Sequence, residues 1–167
     1  CIRDRLSNQC LKEIVRVVQC FNHPYEIRDF ILDFVNTSKH SARLFEIALH
    51  SFFQVLDEDG VFEPQILKPL SQMRSANKKH GNVGDIEIVE PVSSDLNAIR
   101  VIEAWDAKFD KADLSVEFGE LSEKIQRHAE LERVGFVVSV DRSDIVSNDT
   151  IGSGSLKVEI VEVDELL

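Results

Sequence analysis

Two aspartates and a lysine carry the clearest chemical signal in this sequence. Asp85 opens the run Asp-Ile-Glu-Ile-Val-Glu-Pro, and Asp106 and Lys108 sit two residues apart near the end of the apolar run 99–109. Both runs read as strands, joined by a polar connection over 92–98. Side chains alternate across a strand, so Asp106 and Lys108 share a face with Ile102 and Ala104. Charges at the end of an apolar strand are costly to keep there without a compensating role. Two carboxylates brought together suit a hard divalent cation, Mg²⁺ or, in its place, Mn²⁺. A lysine beside them can contact an attacking water or a phosphate oxygen.

Other groups extend this constellation. Glu46 falls on the helical stripe of Ala42, Leu49 and Phe53, and would face the interior as a third carboxylate. Lys78, Lys79 and His80 lie in a turn-rich loop just before the first acidic strand and can donate to an anion. Glu87 shares a strand face with Asp85, whereas Glu103 lies on the face opposite Asp106. A different register would put Glu87 or Glu103 in place of one of the chosen ligands. His40, His50, His80 and His128 lack metal-type spacing and read as structural or surface residues. There is no P-loop and no G-x-S-x-G elbow.

The elements that must position these groups follow from periodicity. Residues 1–37 read as a helical pair, with Leu11, Ile14, Val15 and Val18 in the first member. Ile27, Phe30, Ile31 and Phe34 form the stripe of the second. They form a helical extension, and residues 38–167 the main domain. A strong helix is expected over 42–56, a short strand within 61–69 and a helical turn over 70–76. Strands follow at 83–89 and 99–109, then a helix over 116–133, a strand over 135–140 and a half-exposed edge strand over 156–163. A strand, a helix and a strand in direct succession predict a parallel crossover. The fold class is therefore α/β or α+β, with a central mixed sheet flanked by helices.

Composition narrows the function classes. With 167 residues and 43% apolar content, the chain can bury a sizeable core. No apolar run reaches the roughly 18 residues of a membrane span, so no membrane association is expected. Cys1, Cys10 and Cys20 lack CxxC spacing and read as free thiols of a cytoplasmic protein. The net charge of −11 argues against a simple basic nucleic-acid binder. Residues 1–84 hold 11 Lys and Arg against 10 Asp and Glu, whereas residues 85–167 hold 8 against 20, so the acidity begins at the proposed cation site. The chain opens on Cys1 with Met73 as its only methionine, and is expected to be a fragment or processed product with further elements outside it.

The order helix, strands, helix, strand with these acids resembles the PD-(D/E)XK nuclease superfamily, the restriction-endonuclease-like fold. Gly84-Asp85 looks like that family's first acidic motif, and Asp106-Ala107-Lys108 like its (D/E)-x-K. Glu46 is similar to the additional helical carboxylate of many members, and Gln126 lies where some place a glutamine. The likeness covers roughly residues 41–140 and is greatest to type II restriction endonucleases. It implies a Mg²⁺-dependent DNA endonuclease with Asp85, Asp106, Glu46 and Lys108 in the catalytic centre, the first three holding the metal ion, DNA as partner, and a homodimer or a further subunit. The alternatives are a repair or mobile-element nuclease of the same fold, or a non-catalytic interaction domain.

Overall fold

In the computed structural model the described residues are 23–73, 81–92, 99–145 and 156–166. Cys1, Cys10, Cys20, the first expected helix and the Lys78, Lys79 and His80 loop lie outside them. Helix α1 (Pro24–Thr37) places Pro24 in its first turn, where the missing N–H removes no helical hydrogen bond. The Glu26 carboxylate accepts the His23 N–H at 3.1 Å and closes that end. The inward face of α1 is Ile31, Leu32 and Val35, leaving Tyr25 and Phe34 exposed, so the apolar stripe is rotated from the expected one. Helix α2 (Ser41–Glu58) buries Phe45, Leu49, His50 and Phe53, four residues whose spacing makes one helical face.

A five-stranded sheet follows: β1 (Ile66–Leu67), β2 (Ile86–Pro91), β3 (Ile99–Lys108), β4 (Arg133–Val138) and β5 (Val158–Glu162), adjacent in chain order. Neighbours from β1 to β3 run antiparallel, and β3, β4 and β5 run parallel. Helix α3 (Ser115–Ile125) makes the crossover from β3 to β4, and a single turn, α4 (Val163–Leu166), follows β5. The fold is α+β with a mixed sheet covered on both faces. On one face α1 and α2 pack Val35, Phe45, Leu49 and Phe53 against Ile86, Ile88, Trp105 and Val137. On the other α3 packs Phe118 and Leu121 against Val89, Ala104, Val134, Phe136 and Val138. Among the described residues no helix is long and apolar enough to cross a membrane.

Two expectations about element limits need correcting, and so does the uniform alternation expected along 99–109. Helix α3 stops at Ile125, well short of residue 133, because the chain must turn back to lay β4 beside β3. The Glu132 N–H already donates to the Ile102 carbonyl at 2.8 Å, Leu131 is buried, and Ala129 is exposed. The strand expected within 61–69 contracts to Ile66 and Leu67, since residues 61–65 are spent in turns after α2. In the second long strand the ladder slips between Ile88 and Val89, whose partners Glu103 and Val101 are two residues apart. This bulge at Ile102 brings Val101 into the same core layer as Ala104.

Gly135 sits where β4 passes between Trp105 and β5. A Cβ there would run into the Glu159 carbonyl and come within 2.7 Å of the Trp105 ring. Gly135→Ala is expected to destabilise the fold by about 1–3 kcal/mol, as overpacking of a rigid site does. Urea denaturation measures this, and an unchanged midpoint would contradict the packing described.

Candidate active site

The register of β2 on β3 builds the site. Ile86 pairs with Trp105, so Asp85 comes alongside Asp106 just beyond the end of the ladder. Asp85 is fixed twice. Its N–H donates to the Trp105 carbonyl at 2.9 Å. Its Oδ2 accepts the Ala107 N–H at 3.1 Å, replacing a backbone ladder bond. Gly84 makes this approach possible, because a Cβ there would lie 2.6 Å from the Trp105 carbonyl oxygen. A proline, which has that Cβ too, would meet the same oxygen.

Asp106 and Lys108 project together as alternation requires, and the Lys108 Nζ donates to Asp106 Oδ2 at 3.2 Å. The same ammonium lies 5.9 Å from the centre of the Phe136 ring. Burial lifts the pKa of Asp85 to about 7, with the neighbouring charges of Asp106 and Glu46 adding to the rise. The Ala107 N–H and Lys108 oppose it. Lys108 is held above the usual lysine range: burial disfavours its charge, but Asp106, Asp85 and Glu117 more than offset this.

Glu46, Asp85, Asp106 and Lys108 line one cleft of about 620 Å³. Glu46 enters it from α2 with its carboxylate ion-paired to Arg43. Among the described residues no three His, Cys, Asp or Glu side chains gather closely enough to hold a metal on their own. The acidic centre is thus the pair Asp85 and Asp106, with Glu46 on the facing wall.

The remaining expected residues lie elsewhere. Glu87 is fully buried, its carboxylate taking the Lys68 ammonium at 2.6 Å and the Val83 N–H at 2.5 Å, and it does not line the cleft. Glu103 accepts the Trp105 Nε1–H at 2.5 Å and pairs with Arg133 across the strands. Gln126 is exposed at the end of α3 and outside the cleft lining. Lys78, Lys79 and His80 precede Gly81 and Asn82, which do line the cleft.

Sequence reasoning missed the α3 wall. Glu117, Glu120 and Lys124 line the cleft with Lys111 and His128. Their spacing of three and four residues marks one helical face, flanking the buried Phe118 and Leu121, and could have been read from the sequence. Lys124 also ties the helix to the acidic strand, donating to the Val83 carbonyl at 2.7 Å.

Because the folded pKa of Asp85 exceeds its unfolded value of 3.8, the folded state binds more protons than the unfolded one between about pH 4 and 7. Stability of the metal-free protein therefore falls as pH rises through 7. Asp85→Asn keeps an acceptor for Ala107 and removes the charge, so it should raise the melting temperature at pH 8 by several degrees and flatten the dependence. A melting temperature at pH 8 no higher than wild type would contradict the buried charge. No protein-family model, no curated protein and no solved structure matches this chain.

Proposed function

We propose that this chain is a Mg²⁺-dependent deoxyribonuclease of the PD-(D/E)XK superfamily, an endonuclease of the restriction type that hydrolyses DNA phosphodiesters. The observation that carries this reading is the meeting of Asp85, Asp106 and Lys108 in one cleft with Glu46 opposite. The order of elements supports it: two antiparallel strands bearing the acids, then a helix and a parallel strand.

The residues present fit a hard cation. Repulsion from Asp106 and Glu46 adds to burial in raising the pKa of Asp85, and a bound dication would relieve that repulsion. Mg²⁺ commonly takes one or two protein carboxylates and completes its shell with water and substrate phosphate, so a two-acid centre is sufficient. When bound, the ion polarises the scissile phosphate and acidifies a coordinated water. Asp85 and Asp106 would hold it. Lys108 donates to the attacking water or a non-bridging phosphate oxygen and offsets the charge that develops there. Lys111 and Lys124 line the cleft and offer cations to flanking phosphates, and Lys78, Lys79 and His80, which lie outside the described residues, are proposed as further phosphate contacts.

The three glutamates Glu117, Glu120 and Glu123 on the same wall favour one other reading, a non-catalytic interaction domain with an acid-lined groove. Supercoiled plasmid incubated with the protein and Mg²⁺ separates the two. Cleavage is expected, dependent on the metal and reduced about 100-fold or more in Asp106→Ala and in Lys108→Ala. Unchanged cleavage in both variants would reject their assigned roles, and no cleavage by wild type on duplex or single-stranded DNA would favour the interaction domain.

A further inference from the structure

Glu117 stands in the first turn of α3 and faces the cleft that holds Lys108. One oxygen of its carboxylate accepts the Lys111 ammonium. The other, Oε2, is buried and has no hydrogen-bond partner among the described residues. A buried carboxylate oxygen without a donor calls for a physical account. Lys108 offers one, since an ammonium carries three N–H donors and the bond to Asp106 uses one of them. Burial works against ionisation of Glu117, but Lys111, the residue's own N–H and, to a smaller extent, the charge of Lys108 hold it below the usual carboxylate range.

We propose that Glu117 is a positioning residue for Lys108, drawing its ammonium across the cleft so that Asp106 keeps an oxygen free for a divalent cation. This role rests on the nuclease reading above. Asp106 Oδ2 is the oxygen that Lys108 contacts, so an ammonium drawn wholly to Asp106 competes with a cation for the same lone pairs. A second carboxylate on the far side divides the lysine's attention. Lys111 holds Glu117 at that post from the loop between β3 and α3. The signs then alternate from Asp106 to Lys108 to Glu117 to Lys111, and the two inner charges, Lys108 and Glu117, each lie between two of opposite sign.

The test is Mn²⁺ binding to the full chain, followed by electron paramagnetic resonance without DNA. Glu117→Gln should weaken Mn²⁺ affinity roughly fivefold to tenfold, the scale of one charge-assisted contact. Glu117→Asp, which keeps the charge, should remain closer to wild type. In a Lys108→Met background Glu117→Gln should change nothing, because the competitor is gone. An equal loss in both backgrounds would overturn the positioning role while leaving the nuclease reading intact. Failure of wild type to bind Mn²⁺ at millimolar concentration would overturn both. Should Glu117→Gln fail to fold, the same comparison made with Glu117→Ala decides: a loss of Mn²⁺ affinity that disappears in the Lys108→Met background supports the role, and one that persists, or none at all, overturns it.

Discussion

Two carboxylates are held side by side at the mouth of a buried sheet, and the backbone gives them little freedom to separate. Asp85 is locked by its N–H to Trp105 and by the Ala107 N–H to its carboxylate, while Asp106 is fixed by the ladder of β3 against β4. Gly84 is the local condition for that approach, and Gly135 leaves room for the Trp105 ring. The helices then serve as walls. Helix α2 supplies Glu46 on one side, and α3 supplies Lys124 and Glu117 on the other.

Burial of a carboxylate does not by itself mark a working group, and Glu87 makes the contrast. It is more deeply buried than Asp106, yet Lys68 and the Val83 N–H satisfy both of its oxygens. Lys68 in turn is oriented by Asn82, and its carbonyl meets the His50 ring. That network holds the β1–β2 edge together and leaves nothing over for a ligand. Asp85 and Asp106 are the opposite case: two negative groups share the nearby cation Lys108, and burial, with the unbalanced charge adding to it, lifts the pKa of Asp85 to about 7. Unbalanced charge in a cleft, rather than buried charge, is what points to a partner of opposite sign.

Much of this was readable from the chain. The acidic strand pair, the Asp-x-Lys spacing, the strong helix over 42–56 and the parallel crossover all follow from alternation and helical periodicity, which survive tertiary context when an element is long and one-sided. The rest depended on pairings that no local pattern encodes. Whether Glu87 or Asp85 reaches the cleft is decided by a two-residue difference along one strand and by where Lys68 arrives from β1. The charged continuation of α3, Gln126 to Arg133, has helical propensity, which the ladder to Ile102 and Glu103 overrides. The apolar stripe of that helix marks only its core side, and Glu117 stands on the polar face beside it, where no local pattern separates a cleft wall from a solvated surface.

The central claim is that the Asp85 and Asp106 carboxylates together receive a divalent cation. Anomalous scattering from crystals grown with Mn²⁺ tests it most directly. The account predicts a peak within coordination distance of one oxygen from each of the two aspartates, and its loss in Asp106→Ala. A peak bound elsewhere on the molecule, with the space between Asp85 and Asp106 empty at saturating Mn²⁺, would contradict it.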